Sequence, residues 1–200
     1  MTPTSLTDAP MAAPEARDTD AALIERSLAH PSEFERLFER HHDLVFRYAV
    51  SRLGTDGAED LVGETFLAAF SVRHRFDATR GTDARPWLLG IATKRIARHR
   101  SQERRWLDQC AVTARQDAGE AEPSSDGAVD RADAARLAPV LARALAQLSA
   151  RERDPLLLHV LGNLPYDEVA GALGVAPGTV RSRISRARSR LAGILDGAGR

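Results

Sequence analysis

Residues 111–133, AVTARQDAGEAEPSSDGAVDRAD, are what most limits how this chain can fold. The stretch has no apolar period, is rich in Gly, Pro, Ser and acids, and has the composition of a linker. No hydrophobic core can be threaded through it. Apolar residues recur at helical spacing on both sides and at strand spacing on neither. The expectation is therefore an all-α protein of two small helical domains joined by a flexible acidic linker. The boundaries read as a disordered tail over 1–19, a first helical domain over 20–107, the linker over 108–134 and a second helical domain over 135–200. With 43% hydrophobic residues real cores can form, and with only 5% aromatics they must be built from Leu, Val and Ala.

In the first domain a helix is expected over Asp20 to His30. A second follows, with Ser32 as N-cap, Glu35 completing a capping box and Gly54 at its end. A third helix spans Asp56 to Phe70, with acids in its first turns as the macrodipole prefers. A polar loop, Asp77 to Arg85, precedes a fourth helix opened by Pro86 and continuing as PWLLGIATKRIARHRSQERRW. In the second domain Ser149 and Glu152 form another capping box. Pro155 then interrupts a helical pattern, so either Asp154 caps a helix that starts late or the helix bends there.

Charge is balanced overall, 28 basic against 28 acidic residues, but strongly segregated. Arg85 to Arg105 holds seven cations and one acid, the 111–133 stretch is acidic, and GTVRSRISRARSRL, Gly178 to Leu191, holds five arginines and no acid. At about 100° per residue, Val180, Ile184, Ala187 and Leu191 fall on one apolar stripe. Opposite lies a crest of small residues, Gly178, Ser182, Ser185 and Ser189. Arg181 and Arg188 flank it on one side, and Arg183, Arg186 and Arg190 on the other. A narrow crest with cationic shoulders suits a groove between phosphate walls, although a solvated amphipathic helix has the same pattern. The preceding PYDEVAGALGVAP reads as helix and tight turn: Ala170 is small where two helices would cross, Gly174 suits a left-handed cap, and Pro177 suits the first helical turn. Together these point to a helix-turn-helix.

Several classes are disfavoured. The single cysteine, Cys110, excludes an internal disulfide framework. The N-terminal stretch lacks the basic and apolar regions of a signal peptide, and LLLHVLGNL is too short to cross a bilayer, so a cytoplasmic protein without membrane insertion is expected. His41, His42 and Asp43, with Glu64, invite a metal-site reading. Neighbours on a helix diverge by about 100° and do not converge on one ion, so neither a metal nor any other cofactor is expected. Arginine outnumbers lysine 27 to 1, which points to the coding bias of a GC-rich genome.

Three blocks, AEDLVGETFLAAF, RPWLLGIATKRIARHR and LSARERDPLLLHVLGNLPYDEVAGALGVAPGTVRSRISRARSRL, resemble in order and spacing the extracytoplasmic-function (ECF) class of bacterial RNA polymerase sigma factors, over about Glu33 to Leu195. The resemblance implies a non-enzymatic protein that binds core RNA polymerase, directs it to promoter DNA and promotes melting. It implies core docking by Asp60, Gly63 and Glu64. It implies minus-ten contacts by Arg80, Arg85, Trp87, Lys94, Arg95 and Arg98 around a captured unstacked base, although Trp87, facing along a helix, reads first as a packed core side chain. It implies minus-thirty-five contacts by Thr179, Arg181, Ser182, Ser185 and Arg186, and an anti-sigma factor as a further partner. Gly63, Lys94, Pro155 and Pro165 depart from the family pattern. The competing reading is a free-standing helix-turn-helix transcriptional regulator, which explains the C-terminal arginines but neither the basic stretch after Arg85 nor the acids of the third helix.

Overall fold

The computed structural model describes residues 19–117 and 141–198, all helix, turn and loop. The expected tail and most of the expected linker lie outside the described residues. The first cluster comprises α1 (Asp20–Ala29), α2 (Glu33–Leu53), α3 (Thr55–Val72), α4 (Arg85–Ile96) and α5 (Arg100–Asp117). Two 3-10 turns, Arg73–Arg75 and Ala78–Arg80, separate α3 from α4. The second cluster comprises α6 (141–147), α7 (Ala150–Val160), α8 (Tyr166–Leu173) and α9 (Pro177–Ala198).

α2 packs against α1, α3, α4 and α5, and its apolar face supplies Phe34, Leu37, Val45, Tyr48, Ala49 and Leu53 to the core. α3 adds Leu61, Val62, Phe66 and Ala69, and α4 adds Leu88, Leu89, Ala92 and Ile96. In the second cluster, Leu156, Leu157 and Leu158 of α7 and Val169 and Ala170 of α8 close on Val180, Ile184 and Ala187 of α9. Each fully buried Leu, Ile or Val side chain among these contributes about 1.5–3 kcal/mol. The buried residues of both clusters form one continuous core, because α8 packs across α4.

Three local expectations are corrected. Ser32 does not cap α2: its backbone is helical, its hydroxyl bonds no N–H of the first turn, and Glu35 N–H instead donates to the Ser32 carbonyl at 3.0 Å. The long fourth helix is two helices broken after Ile96, and the second runs on to Asp117, so 108–117 of the expected linker is helical. α7 starts at Ala150 with Pro155 inside it, and Asp154 caps nothing; its carboxylate accepts a hydrogen bond from Arg52 of α2. The Ser149 box does form, with the Ser149 N–H and hydroxyl both donating to the Glu152 carboxylate at 3.2 and 2.7 Å.

Candidate nucleic-acid interface

α8 and α9 are set by their caps. α8 ends at Gly174, which is left-handed at φ 68°, a conformation glycine adopts without the Cβ penalty. The Gly174 and Val175 N–H groups bond back to Gly171 and Ala170, closing the helix end. Pro177 then opens α9 at a position whose N–H needs no partner. The tight turn seats Val180, Ile184 and Ala187, each at most 1% exposed, on α7 and α8. The opposite side faces solvent as the periodicity requires: Gly178, Arg181, Ser182, Ser185, Arg186, Arg188 and Ser189 are exposed. Thr179 is half-buried, and its carbonyl accepts from the Ser182 hydroxyl at 3.0 Å. Arg190 is less free than its place on the wheel suggests, because its Nη1 donates to Glu152 at 2.9 Å.

A cavity of about 450 Å³ lies where α4 and the loop before it meet α8. Trp87 and Phe76 form its aromatic wall, edge to face at 5.2 Å between ring centres. Arg75, Arg80 and Lys94 bring cations to it, and Asp83, Asp167 and Glu168 bring carboxylates. Trp87 is therefore half-buried beside a cavity, neither sealed in the core nor free. Of the cations expected to work together, Arg80 and Lys94 meet here. Arg85 is paired with Asp83 at 2.6 Å, a hydrogen bond that raises its pKa. Arg95 turns toward Glu64 of α3 at 4.0 Å, and Arg98 is exposed in the turn between α4 and α5. Burial, reinforced by Asp83, pushes the Glu168 carboxyl up. Phe76 and Arg75 were not singled out by sequence reasoning; an aromatic beside the basic loop RFDATR was the signal available.

On α3, Asp60 and Gly63 are exposed, and a Cβ at Gly63 would meet nothing within 4 Å. That glycine has no packing reason. Glu64, one turn from Asp60, is held by His99 Nε2 at 3.2 Å.

Two buried polar clusters escaped sequence reasoning. Asp20 accepts from Arg40 Nη1 at 2.6 Å and the Ala84 N–H at 2.8 Å, and its Oδ2 lies 2.7 Å from His41 Nε2. Burial alone would raise its pKa; the bonds from His41, the Ala84 N–H and Arg40 outweigh this and hold it at about 2. Asp20, His41 and Asp83 gather within 4.8 Å, the one such group among the described residues, but the Asp20 oxygens are already committed to these donors. The second cluster centres on Arg52, 2% exposed. Its Nε donates to Glu103 at 2.6 Å, its Nη2 to Asp154 at 2.7 Å and its Nη1 to the Tyr48 hydroxyl at 2.8 Å. The Thr93 hydroxyl spends its proton on the Leu89 carbonyl, so Tyr48 is the donor in the 2.8 Å bond to Thr93. Arg153 Nη2 completes the cluster on Glu103 at 2.8 Å. No helix among the described residues is long and apolar enough to cross a membrane.

Comparison with known proteins agrees with this geometry. The family model for Sigma-70 region 2 matches residues 37–106, and that for Sigma-70, region 4 matches 140–191. The ECF RNA polymerase sigma factor BldN of Streptomyces coelicolor is 33% identical over 190 residues, covering 90% of this chain and 69% of that one. The ECF RNA polymerase sigma factor SigL of Mycobacterium tuberculosis is 32% identical over 170 residues, covering 84% and 89%. Among solved structures, CnrH in complex with the cytosolic domain of CnrY has a TM-score of 0.62 at 25% identity, covering 90% of this chain and 99% of that one. RpoE of Bartonella quintana in complex with the anti-sigma factor NepR has a TM-score of 0.56 at 26% identity, covering 82% and 97%. The region 2 match accounts for the half of the molecule that a free-standing regulator leaves unexplained. With both regions present in order and relatives of 33% and 32% identity covered over 69% and 89% of their length, the chain belongs to the ECF RNA polymerase sigma factors, non-catalytic proteins that direct RNA polymerase to promoters.

Proposed function

We propose that α8, the Gly174 turn and α9 form the helix-turn-helix that reads the minus-thirty-five element, with Thr179, Arg181, Ser182, Ser185 and Arg186 in the groove. The observation that carries this reading is the division of α9: one face is sealed by Val180, Ile184 and Ala187, while the small crest and Arg181, Arg186 and Arg188 on its shoulders stand in solvent. The crest lets the helix approach base edges and the shoulders meet phosphates. The cavity beside Trp87 takes an unstacked base of the minus-ten element, Phe76 and Trp87 offering a stacking wall and Arg80 and Lys94 holding the backbone. Arg85, Arg95 and Arg98 extend that cationic surface along α4 and its two ends. Core polymerase docks on α3 through Asp60 and Gly63, with Glu64 at the edge of the face.

The two domains are assigned to residues 20–117 and 135–200, with the segment between them as the spacer and 1–19 as a tail. CnrH and RpoE were each solved with a bound partner, CnrY and NepR. This supports an anti-sigma factor as a partner of this chain as well. The test is run-off transcription by core polymerase reconstituted with the purified chain on genomic promoter fragments. Promoter-specific transcripts that disappear in the Ser182→Glu variant support the assignment; unchanged transcripts refute α9 as the reader.

A further inference from the structure

The cavity between α4 and α8 holds groups that the minus-ten reading leaves unused. Its frame is close-packed: a Cβ on Gly90 of α4 would stand 2.8 Å from the Ala172 carbonyl oxygen of α8, and one on Gly171 of α8 would stand 3.1 Å from Arg80 Nη2. The missing side chain at Gly171 is thus what gives the Arg80 guanidinium its place. The volume of about 450 Å³ lies within the range of about 300–1,000 Å³ usual for small-molecule sites. Charges of both signs line the cavity. Among the acids, Asp77 is spent on the Thr79 N–H and hydroxyl at 3.0 and 2.6 Å, and Asp83 on the Arg85 N–H and Nε at 2.8 and 2.6 Å. Asp167 is exposed to solvent. Glu168 differs from all three, because its Oε2 is buried without a hydrogen-bond partner. Burial and the charge of Asp83 disfavour its ionised form, an imbalance that donated N–H groups correct. Arg75 and Lys94 are exposed and make no ion pair among the described contacts.

We propose that this cavity binds a free guanine nucleotide, the base stacked against Trp87 and Phe76, its N–H edge on Glu168 and its phosphates on Arg75, Arg80 and Lys94. The two aromatic rings stand at 72° and form a corner, so a base stacked on one meets the other edge-on. An ionised carboxylate only accepts hydrogen bonds, and its two oxygens receive two parallel N–H groups. Guanine presents such a pair, N1–H beside an N2 amino hydrogen. Adenine and cytosine set an amino group beside a ring-nitrogen lone pair, which a carboxylate repels. Uracil and thymine have one N–H between two carbonyls. The Glu168 carboxylate turns about a broad, two-fold last torsion, so both its oxygens can be brought to the base edge. Two guanidinium groups and an ammonium supply charged donors for a diphosphate. An aromatic corner, an unsatisfied acceptor and exposed cations in one cavity match a ligand that is planar, N–H-donating and anionic, and a guanine nucleotide is all three. The turn before α4 and α4 itself hold the ring and phosphates, while α8 holds the base edge. A bound nucleotide therefore ties α8 to α4 and stabilises the chain by linkage.

Isothermal titration of the full chain without polymerase tests this, with GDP, ADP and inorganic pyrophosphate as probes. GDP should bind at one site per chain and at least about tenfold more tightly than ADP, the worth of one two-point base contact, and pyrophosphate should bind more weakly than GDP. Glu168→Gln, whose amide sets an N–H donor against the base edge, should remove the preference for GDP over ADP. Lys94→Ala should weaken GDP and ADP by the same factor, and circular dichroism checks that both variants keep their helices. Absence of GDP binding overturns the proposal, as does equal binding of GDP and ADP by the wild-type chain. Pyrophosphate binding as tightly as GDP overturns it too, because that marks a phosphate site alone. GDP affinity unchanged in both variants places the ligand elsewhere and overturns the site. Promoter DNA takes no part in the titration, so its failure leaves the minus-ten assignment standing.

Discussion

Replacing Asp20 by asparagine tests the clamp that positions the start of α4. Asp20 holds α1 to α2 through Arg40 and His41, and through the Ala84 N–H it fixes the residue before Arg85 and Trp87. Its carboxyl is lowered from 3.8 to about 2. A depressed acid stabilises the fold above its unfolded pKa and loses that contribution as pH falls toward its folded pKa. The difference is worth about 2 kcal/mol near neutral pH, about half of that near pH 3, and little below about pH 2. The substituted amide carries no charge at any of these pH values. The Asp20→Asn variant should therefore be less stable than wild type by at least about 2 kcal/mol near neutral pH, with the gap closing by about 1 kcal/mol near pH 3. Urea unfolding of both proteins at the two pH values measures this, and titration of the other carboxylates cancels in the difference. A gap that does not change with pH refutes the role of the carboxylate charge, and no gap at neutral pH refutes the clamp.

Three further outcomes are expected. Arg186→Ala should cost about 1–3 kcal/mol of holoenzyme binding and relax preference at one upstream base pair, whereas Arg190→Ala, whose exposed bond to Glu152 is worth at most about 1 kcal/mol, should weaken binding evenly across single-base promoter variants. Ile184→Ala removes a side chain 1% exposed between α9 and its neighbours, and should lower stability by about 2–5 kcal/mol in urea unfolding. Asp60→Arg should weaken competition for core polymerase with an unchanged circular dichroism spectrum, since Asp60 is exposed and the helix does not depend on it.

What the sequence made legible was local. The stripe Val180, Ile184, Ala187, the left-handed Gly174 and Pro177 at the first turn of α9 each act within one or two helical turns, so spacing alone revealed them. Ser32 shows where a local rule misleads. Pro31 and Ser32 form a turn, and Glu33 N–H bonds back to the His30 carbonyl, so Ser32 takes helical backbone angles and its hydroxyl cannot serve the first turn. The break after Ile96 has no glycine or proline to announce it. It is set by tertiary contacts, as Glu103 turns in to Arg52 and Trp106 lies against the backbone of Gly54. Arg52 itself, in the run AVSRLG, reads as an ordinary surface cation. Its carboxylate partners are 51 and 102 residues away, a separation that no periodicity encodes.

Arginine outnumbers lysine 27 to 1, and the fold depends on the chemistry that arginine supplies. Arg52 meets three partners from three directions at once: a carboxylate on α5, a carboxylate on α7 and a phenol on its own helix. A planar guanidinium with five donors spans that geometry; a lysine ammonium is a compact point charge and does not. Arg153 likewise divides its donors between Glu103 and the Leu145 carbonyl. The guanidinium forks of Arg181, Arg186 and Arg188 on α9 are left in solvent, where they suit bidentate recognition of phosphate or guanine. One residue type thus serves both as the buried joint between the two halves and as the exposed surface proposed to read DNA. What separates the two uses is whether carboxylates converge on it, as Glu103 and Asp154 do on Arg52 and as no acid does on Arg186 among the described contacts.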